Sequence, residues 1–380
     1  MSNQSGSDKM QDRVNIAGAG PAGLAAAITL ARAGKQVVVH EARPHVGYRF
    51  GRDFQGLENW TSERDVLEVL NAHGITTGFR HRPCSHGSAF DAWGQEYPIR
   101  NDTPLFYLVE RGPNPGSLDS ALLDQARELG VEVRFNSRVT RLTDPGILAI
   151  GPKAADAIAV GYHFETDMAD GFWVICDDNL APKGYAYLLI WAGWGTVKSC
   201  MFTGFKQEQI YVQRTVAAFE RLLGLKMKNP QRHGGVGNFR IPRRAYFGTR
   251  PMAGEQAGFQ DTLWGFGMRH AILSGVLAAN SMLEQTDYDT LWQNEFGDQL
   301  KVSIVNRALF GLLGNRGYRW FLRRQARQTD VRAFLRRQYH SSLLKWLLIP
   351  WARLYFKSAL KDESCNHISC ECVWCRCGGD

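Results

Sequence analysis

Arg13-Val14-Asn15-Ile16-Ala17-Gly18-Ala19-Gly20-Pro21-Ala22-Gly23, followed by the run Leu24 to Ala33, by Gly34-Lys35 and by Gln36-Val37-Val38-Val39-His40-Glu41, decides the fold. Residues 13–17 read as a short buried strand, Leu24 to Ala33 as a helix that Gly34-Lys35 ends, and 36–41 as the next strand. Strand, glycine-rich turn, helix and strand in about thirty residues is the setting in which a Gly-x-Gly-x-x-Gly turn holds a dinucleotide. Gly18 allows the tight turn, Gly20 lets the backbone approach a pyrophosphate, and Gly23 lets helix and strand pack closely. Pro21 and Ala22 then open a helix whose free N–H groups and partial positive charge face the phosphates. Glu41, followed by Ala42 and Arg43, ends the second strand, where its carboxylate accepts ribose hydroxyls and repels a 2′-phosphate. This turn alone does not separate FAD from NAD.

The separation comes two hundred residues later, in Gly254-Glu255-Gln256-Ala257-Gly258-Phe259-Gln260-Asp261, then Trp264-Gly265-Phe266-Gly267-Met268, then an Ala/Leu/Ser-rich helix from Arg269 to Leu283. This resembles the second flavin-binding motif of the p-hydroxybenzoate hydroxylase-type FAD proteins, in which Gly-Asp is followed at fixed spacing by Gly-x-Gly at a helix start. The resemblance implies that Glu255 stands for the usual Asp on the ribityl chain. It also implies that Gly265, Gly267 and Met268 aim the positive end of the helix at the flavin ring. In the connecting segment, Arg111 and Val139 match the family's cofactor-contacting Arg and the valine whose backbone meets the adenine. For Arg111 the plain alternative is a surface ion pair.

Within that family, residues 12 to 300 resemble most the geranylgeranyl reductase-like branch. Pro182-Lys183-Gly184-Tyr185-Ala186-Tyr187 looks like its Pro-x-x-Tyr-x-Trp-x-Phe-Pro segment lining the substrate cavity, with Tyr187 for the Trp and Leu189-Ile190 for the closing Phe-Pro. The resemblance implies hydride delivery to an isoprenoid double bond, with Tyr185, Tyr187 or a water giving the proton. The aromatic residues between Asp167 and Arg244 suit an apolar ligand cavity, although any one of them also reads as an inward residue of a sheet. The Asp-Gly motif that hydroxylases use with FAD and NADPH is absent, since the region reads Ile150-Gly151-Pro152-Lys153-Ala154-Ala155-Asp156. The donor is therefore left open between NAD(P)H and a ferredoxin-type protein. The loop from Arg43 to Gly56 holds Arg49, Arg52 and Asp53 but no cysteine, so no cysteine is given a catalytic role.

The net charge of +8 is concentrated at one end of the chain. From Lys301 to Lys361 there are 14 Lys/Arg against one acid, Asp330, which leaves the remainder net negative. A local basic surface argues for a specific partner and against general nucleic-acid binding. This segment reads as two or three helices mixing Arg with Trp, Leu and Phe, none approaching the ~18 apolar residues of a membrane span. Helices lying on an anionic bilayer are expected, the alternative being a helical cap with a solvated charged face. The polar first twelve residues carry no apolar signal segment, which points to a cytoplasmic protein, peripheral on the inner membrane face. Cys84, Cys176 and Cys200 read as buried free thiols. Cys370, Cys372, Cys375 and Cys377, near His367 and Cys365, have spacings that suit an iron–sulfur cluster or zinc, or else a flexible thiol tail.

The expected fold is α/β (α+β): a Rossmann-like FAD-binding domain (13–165 and 235–300, with 55–100 contributing to the substrate side), an inserted antiparallel-sheet substrate domain (166–234) and a C-terminal helical region (301–361). A disordered segment (1–12) and a Cys-rich tail (362–380) flank it. The expected activity is FAD-dependent reduction of a prenyl lipid. The rivals are an aromatic monooxygenase or halogenase, and a non-catalytic flavin redox sensor.

Overall fold

The computed structural model describes residues 13–139, 142, 145–152, 155–239 and 241–355. Arg13–Ala17 is an inner strand of a parallel sheet, between Gln36–His40 and Gly146–Leu148, and Glu132–Arg134 lies outside Gln36–His40. The helix after the first turn spans Pro21–Arg32. Leu24, Ala25, Ala26, Ala27 and Ile28 are buried on every side of it, so neighbours must enclose it all round. One neighbour is the helix Met268–Leu283. The two approach so closely that a Cβ on Gly275 would lie 2.0 Å from Ala22 O. The helix Leu118–Glu128 is another neighbour; Ser117 caps it by accepting a hydrogen bond from Ser120 N at 3.1 Å.

A second, seven-stranded sheet runs in the order Lys228–Gly237, Ala157–Glu165, Trp194–Met201, Tyr185–Trp191, Gly171–Cys176, His86–Asp91 and Glu96–Arg100. All its pairs are antiparallel except Gly171–Cys176 with His86–Asp91. Residues 86–100 supply the last two strands of this sheet, and Ala157–Glu165, which the sequence reading placed with the other domain, is one of its inner strands. Ala157–Glu165 lies inside the substrate sheet, paired on both sides. Its near-continuous burial explains why alternation in the sequence did not reveal its partners. Alternation is clear along Tyr185–Trp191. Ala186, Leu188 and Ile190 pack with Phe219 of the helix Glu208–Leu223, while Tyr185, Tyr187, Leu189 and Trp191 face the opposite cluster. Asp53–Glu58, Phe106–Arg111 and His81–Cys84 form a three-stranded antiparallel sheet with Phe106–Arg111 in the middle.

The basic region forms the helices Asp298–Gln325, Val331–Gln338 and Leu343–Tyr355. Its arginines do not form one outward face. Arg307 is fully buried between Phe202 and Phe310, 4.2 and 4.5 Å from their ring centres, and donates to Leu263 O at 3.0 Å. Arg319 pairs with the buried Asp91 at 2.6 Å. Arg332 donates to the carbonyls of Ser62, Glu63 and Arg64 at 3.0 to 3.1 Å. These cations fasten the helices to the body of the protein, because a buried guanidinium needs partners for its donors. Arginine spacing alone did not distinguish this from a basic surface.

Two predictions follow from this packing. Gly275→Val forces a side chain into Ala22 O and should cost about 3 kcal/mol or more, read as a lowered Tm; an unchanged Tm contradicts the helix contact. His270 is buried, and burial followed by Arg269 pushes its pKa down to about 4 from 6.5. Between those values the unfolded chain takes up more protons than the folded one, so this histidine's contribution to stability falls as pH drops from 6.5 towards 4. The Tm advantage of His270→Phe over wild type should therefore grow over that interval, and a pH-independent difference would refute it.

Candidate functional site

One cavity of about 900 Å³ is lined by both glycine turns: Gly18, Gly20, Pro21 and Ala22 from the first, Glu255, Gly265, Gly267 and Met268 from the second. Glu41, Ala42, Arg43, Arg111 and Val139 line it as well. Gly23 does not. A Cβ there would lie 1.9 Å from Gly18 O, so Gly23 serves the packing of the helix against the turn. Gly18 adopts φ +103° and a Cβ on it would meet Ala149 O at 2.2 Å, so the close approach is to the chain leaving Gly146–Leu148. At Gly20 a Cβ meets nothing within 4 Å, because the space beside it belongs to the cavity.

Both helices that start at this cavity begin without a side-chain cap and without an acid in the first turn, at Gly20 and at Gly267. Their first N–H groups are therefore left for an anion or a polarised carbonyl. Glu41 is held in place by Ala19 N at 2.8 Å and Arg43 N at 3.0 Å. Gln260 Oε1 and Trp264 Nε1 are buried, on residues that line the cavity, with no hydrogen-bond partner among the described residues. This donor and acceptor set fits FAD: amides for the pyrophosphate, carboxylates for hydroxyls, and a second helix terminus for the flavin ring.

Arg111 is not a surface residue. It is buried and bidentate to Asp119, with Nε to Oδ2 at 2.8 Å and Nη2 to Oδ1 at 2.9 Å. It also donates to Gln55 Oε1 at 3.0 Å and stacks 4.1 Å from the Phe50 ring centre. Burial opposes its charge, and the Asp119 carboxylate more than offsets this. Arg111 thus presents a fixed cation to the cavity wall.

Tyr185 and Tyr187 reach the same cavity from the substrate sheet. The Tyr185 hydroxyl donates to Trp264 O. Burial raises both phenols well above 10. Sequence reasoning missed their neighbour. Lys198, the cross-strand partner of Tyr187, lines the cavity with its ammonium 2.6 Å from Asp53 Oδ1. Both side chains are buried, and Gln55 Nε2 donates to Asp53 Oδ2 at 3.0 Å. Burial lowers the lysine pKa from 10.5, with Asp53 acting in the opposite direction. The available signal was a lysine at position 198 of the otherwise buried strand Trp194–Met201.

Cys176 and Cys200 also line the cavity, as free thiols pushed up by burial to about 12 and about 11. At those values they are protonated and weakly nucleophilic. Cys84, also free and buried, is raised to about 11. Among the described residues no group of three or more His, Cys, Asp or Glu is placed to hold a metal ion. Cys370, Cys372, Cys375 and Cys377 lie outside the described residues.

Residues 11–147 match the family model described as FAD binding domain. Among solved structures the fold is similar to a geranylgeranyl bacteriochlorophyll reductase-like protein from Thermoplasma acidophilum (TM-score 0.65, 16% identity, 89% of this chain and 95% of that one). It is also similar to a flavoprotein/dehydrogenase from Cytophaga hutchinsonii (0.63, 13%, 90% and 95%) and to the flavin-dependent brominase Bmp2 (0.60, 15%, 90% and 97%). At these identities the likeness establishes the architecture alone, a mixed α/β fold with a C-terminal helical region. No curated protein matches the sequence.

Because the space beside Gly20 is open, Gly20→Val should fold normally yet block the pyrophosphate. The expected result is an unchanged apo Tm with FAD affinity reduced about a hundredfold or more, of the order of a lost pair of charge-assisted hydrogen bonds. Normal FAD uptake by this variant would show that the pyrophosphate lies elsewhere.

Proposed function

We propose that the chain is an FAD-dependent reductase of carbon–carbon double bonds in an isoprenoid or similar lipid. The observation that carries this reading is that the dinucleotide groove and the chamber under the substrate sheet are one cavity. Its far wall is apolar: Phe106, Phe172, Val174, Leu189, Phe321 and Leu335. A long hydrocarbon fits such a wall better than a polar metabolite does. The likeness of the fold to a geranylgeranyl bacteriochlorophyll reductase-like protein supports the same reading.

FAD, when bound and reduced, supplies the hydride. The protein orients the alkene, excludes water and delivers a proton to the second carbon. An isolated alkene is a poor hydride acceptor, so the strength of the proton donor matters. The tyrosines are weak candidates, since burial holds both hydroxyls protonated and Tyr185 is engaged with Trp264 O. Lys198 is the stronger acid of the three, its pKa lowered by burial, and Asp53 keeps the ammonium oriented. After transfer, the neutral amine regains its proton from solvent. The electron source is a nicotinamide or a ferredoxin-type protein.

The test is to mix the photoreduced holoenzyme, without oxygen, with a lipid bearing a geranylgeranyl chain. The expected result is flavin reoxidation with two hydrogens added to the lipid. Lys198→Met should keep its FAD and slow turnover by about 10²- to 10⁴-fold, the usual range for loss of a general acid. No reoxidation by the lipid, with a hydroxylated or halogenated aromatic formed under oxygen, would favour the monooxygenase or halogenase reading. Bound FAD with no turnover of any acceptor would favour a redox sensor.

A further inference from the structure

We propose that the outer face of the helix Leu343–Tyr355 docks on an anionic lipid surface. The helix is apolar on two faces. Ile349 and Ala352 pack inward against Ile304, Val305 and Ala308. The opposite face carries Leu343, Leu347 and Leu354, which are 79%, 70% and 62% exposed, with Leu344 at 67% and Trp346 at 51%. Apolar helix faces are normally covered, and the described chain leaves the outward face of this helix largely uncovered. The longer helix carries exposed leucines of its own, Leu309, Leu312 and Leu313. Clustered exposure of this kind marks an interaction surface rather than scattered surface residues.

Charge selects the occupant. From Lys301 to Tyr355 the sequence has one acid, Asp330. Several arginines of the region are used internally, yet Arg316, Arg323, Arg324, Arg337 and Arg353 are exposed. Trp346 lies under the Lys301 ammonium, 5.2 Å from its ring centre, and Trp320 lies under Arg324 at 5.6 Å. Leucine for the acyl boundary, tryptophan at the interface and arginine for headgroup phosphates is the composition of a helix lying in the plane of a bilayer. No described helix is long and apolar enough to cross a membrane, so the contact is with one leaflet. This docking is independent of the reductase reading, and its test contains neither an acceptor nor a reductant.

The full chain is floated with phosphatidylcholine vesicles made with or without phosphatidylglycerol, beside Leu343→Glu/Leu347→Glu. Both substituted positions are exposed, so FAD content and Tm report that the variant is folded. Wild type should float with the phosphatidylglycerol vesicles and less so at high salt, and the variant should bind at least about tenfold more weakly, as expected when two charges enter the apolar face. The proposal is overturned if wild type stays in the dense fraction or if both proteins float equally. It is also overturned if light scattering shows a wild-type dimer that the substitutions convert to a monomer with no vesicle dependence, which would make a second copy the occupant.

Discussion

The contact between Gly275 and the Ala22 carbonyl is the constraint on which the rest of the site depends. Two helices from opposite ends of the flavin-binding region can both open onto one cavity only if their backbones nearly touch. Gly254, whose Cβ would lie 3.0 Å from Ala22 Cβ, enforces the same closeness at the second turn. Once the helices are this near, Gly20 and Gly267 bring two uncapped N-termini to the same space. Two partial positive charges then face one space, beside the buried cations Arg111 and Lys198.

The buried charges elsewhere follow a second logic. Arg111 with Asp119 and Lys198 with Asp53 are close pairs in the cavity wall. Such pairs contribute little net stability, because desolvation consumes most of their attraction. Their value is positional. Each fixes a cation where a charged or proton-accepting ligand group would meet it, in a medium where its field is not screened. Arg307 differs in being shared between two carbonyls and two aromatic faces, and its work is to lock the helix Asp298–Gln325 to the Leu263 and Lys183 carbonyls.

The nucleotide half of the site was legible in the sequence because its determinants are local. A tight turn, an open approach and a helix start are each set by one glycine, and Glu41 follows at the distance that a βαβ unit imposes. Tyr185 and Tyr187 were singled out by the resemblance of residues 182–187 to the reductase segment, and both line the cavity. Lys198 was not singled out, since its meaning depends on Asp53, which lies far away in sequence and meets it only after the three-stranded sheet and the substrate sheet come together. The strand Ala157–Glu165 was assigned to the wrong side of a boundary because it is buried on both faces and carries no alternation. The basic segment was read as one surface, whereas tertiary contacts divide its arginines between internal fasteners and an exposed set, a division that composition does not encode.

The central claim is that both glycine turns hold one flavin. Titrating the purified chain with FAD, and following the quenching of flavin fluorescence and the shift of its visible bands, tests this most directly. The account predicts saturation at one FAD per chain, with NADP unable to displace it because Glu41 faces the ribose. A chain that remains colourless and leaves FAD fluorescence unchanged would contradict it.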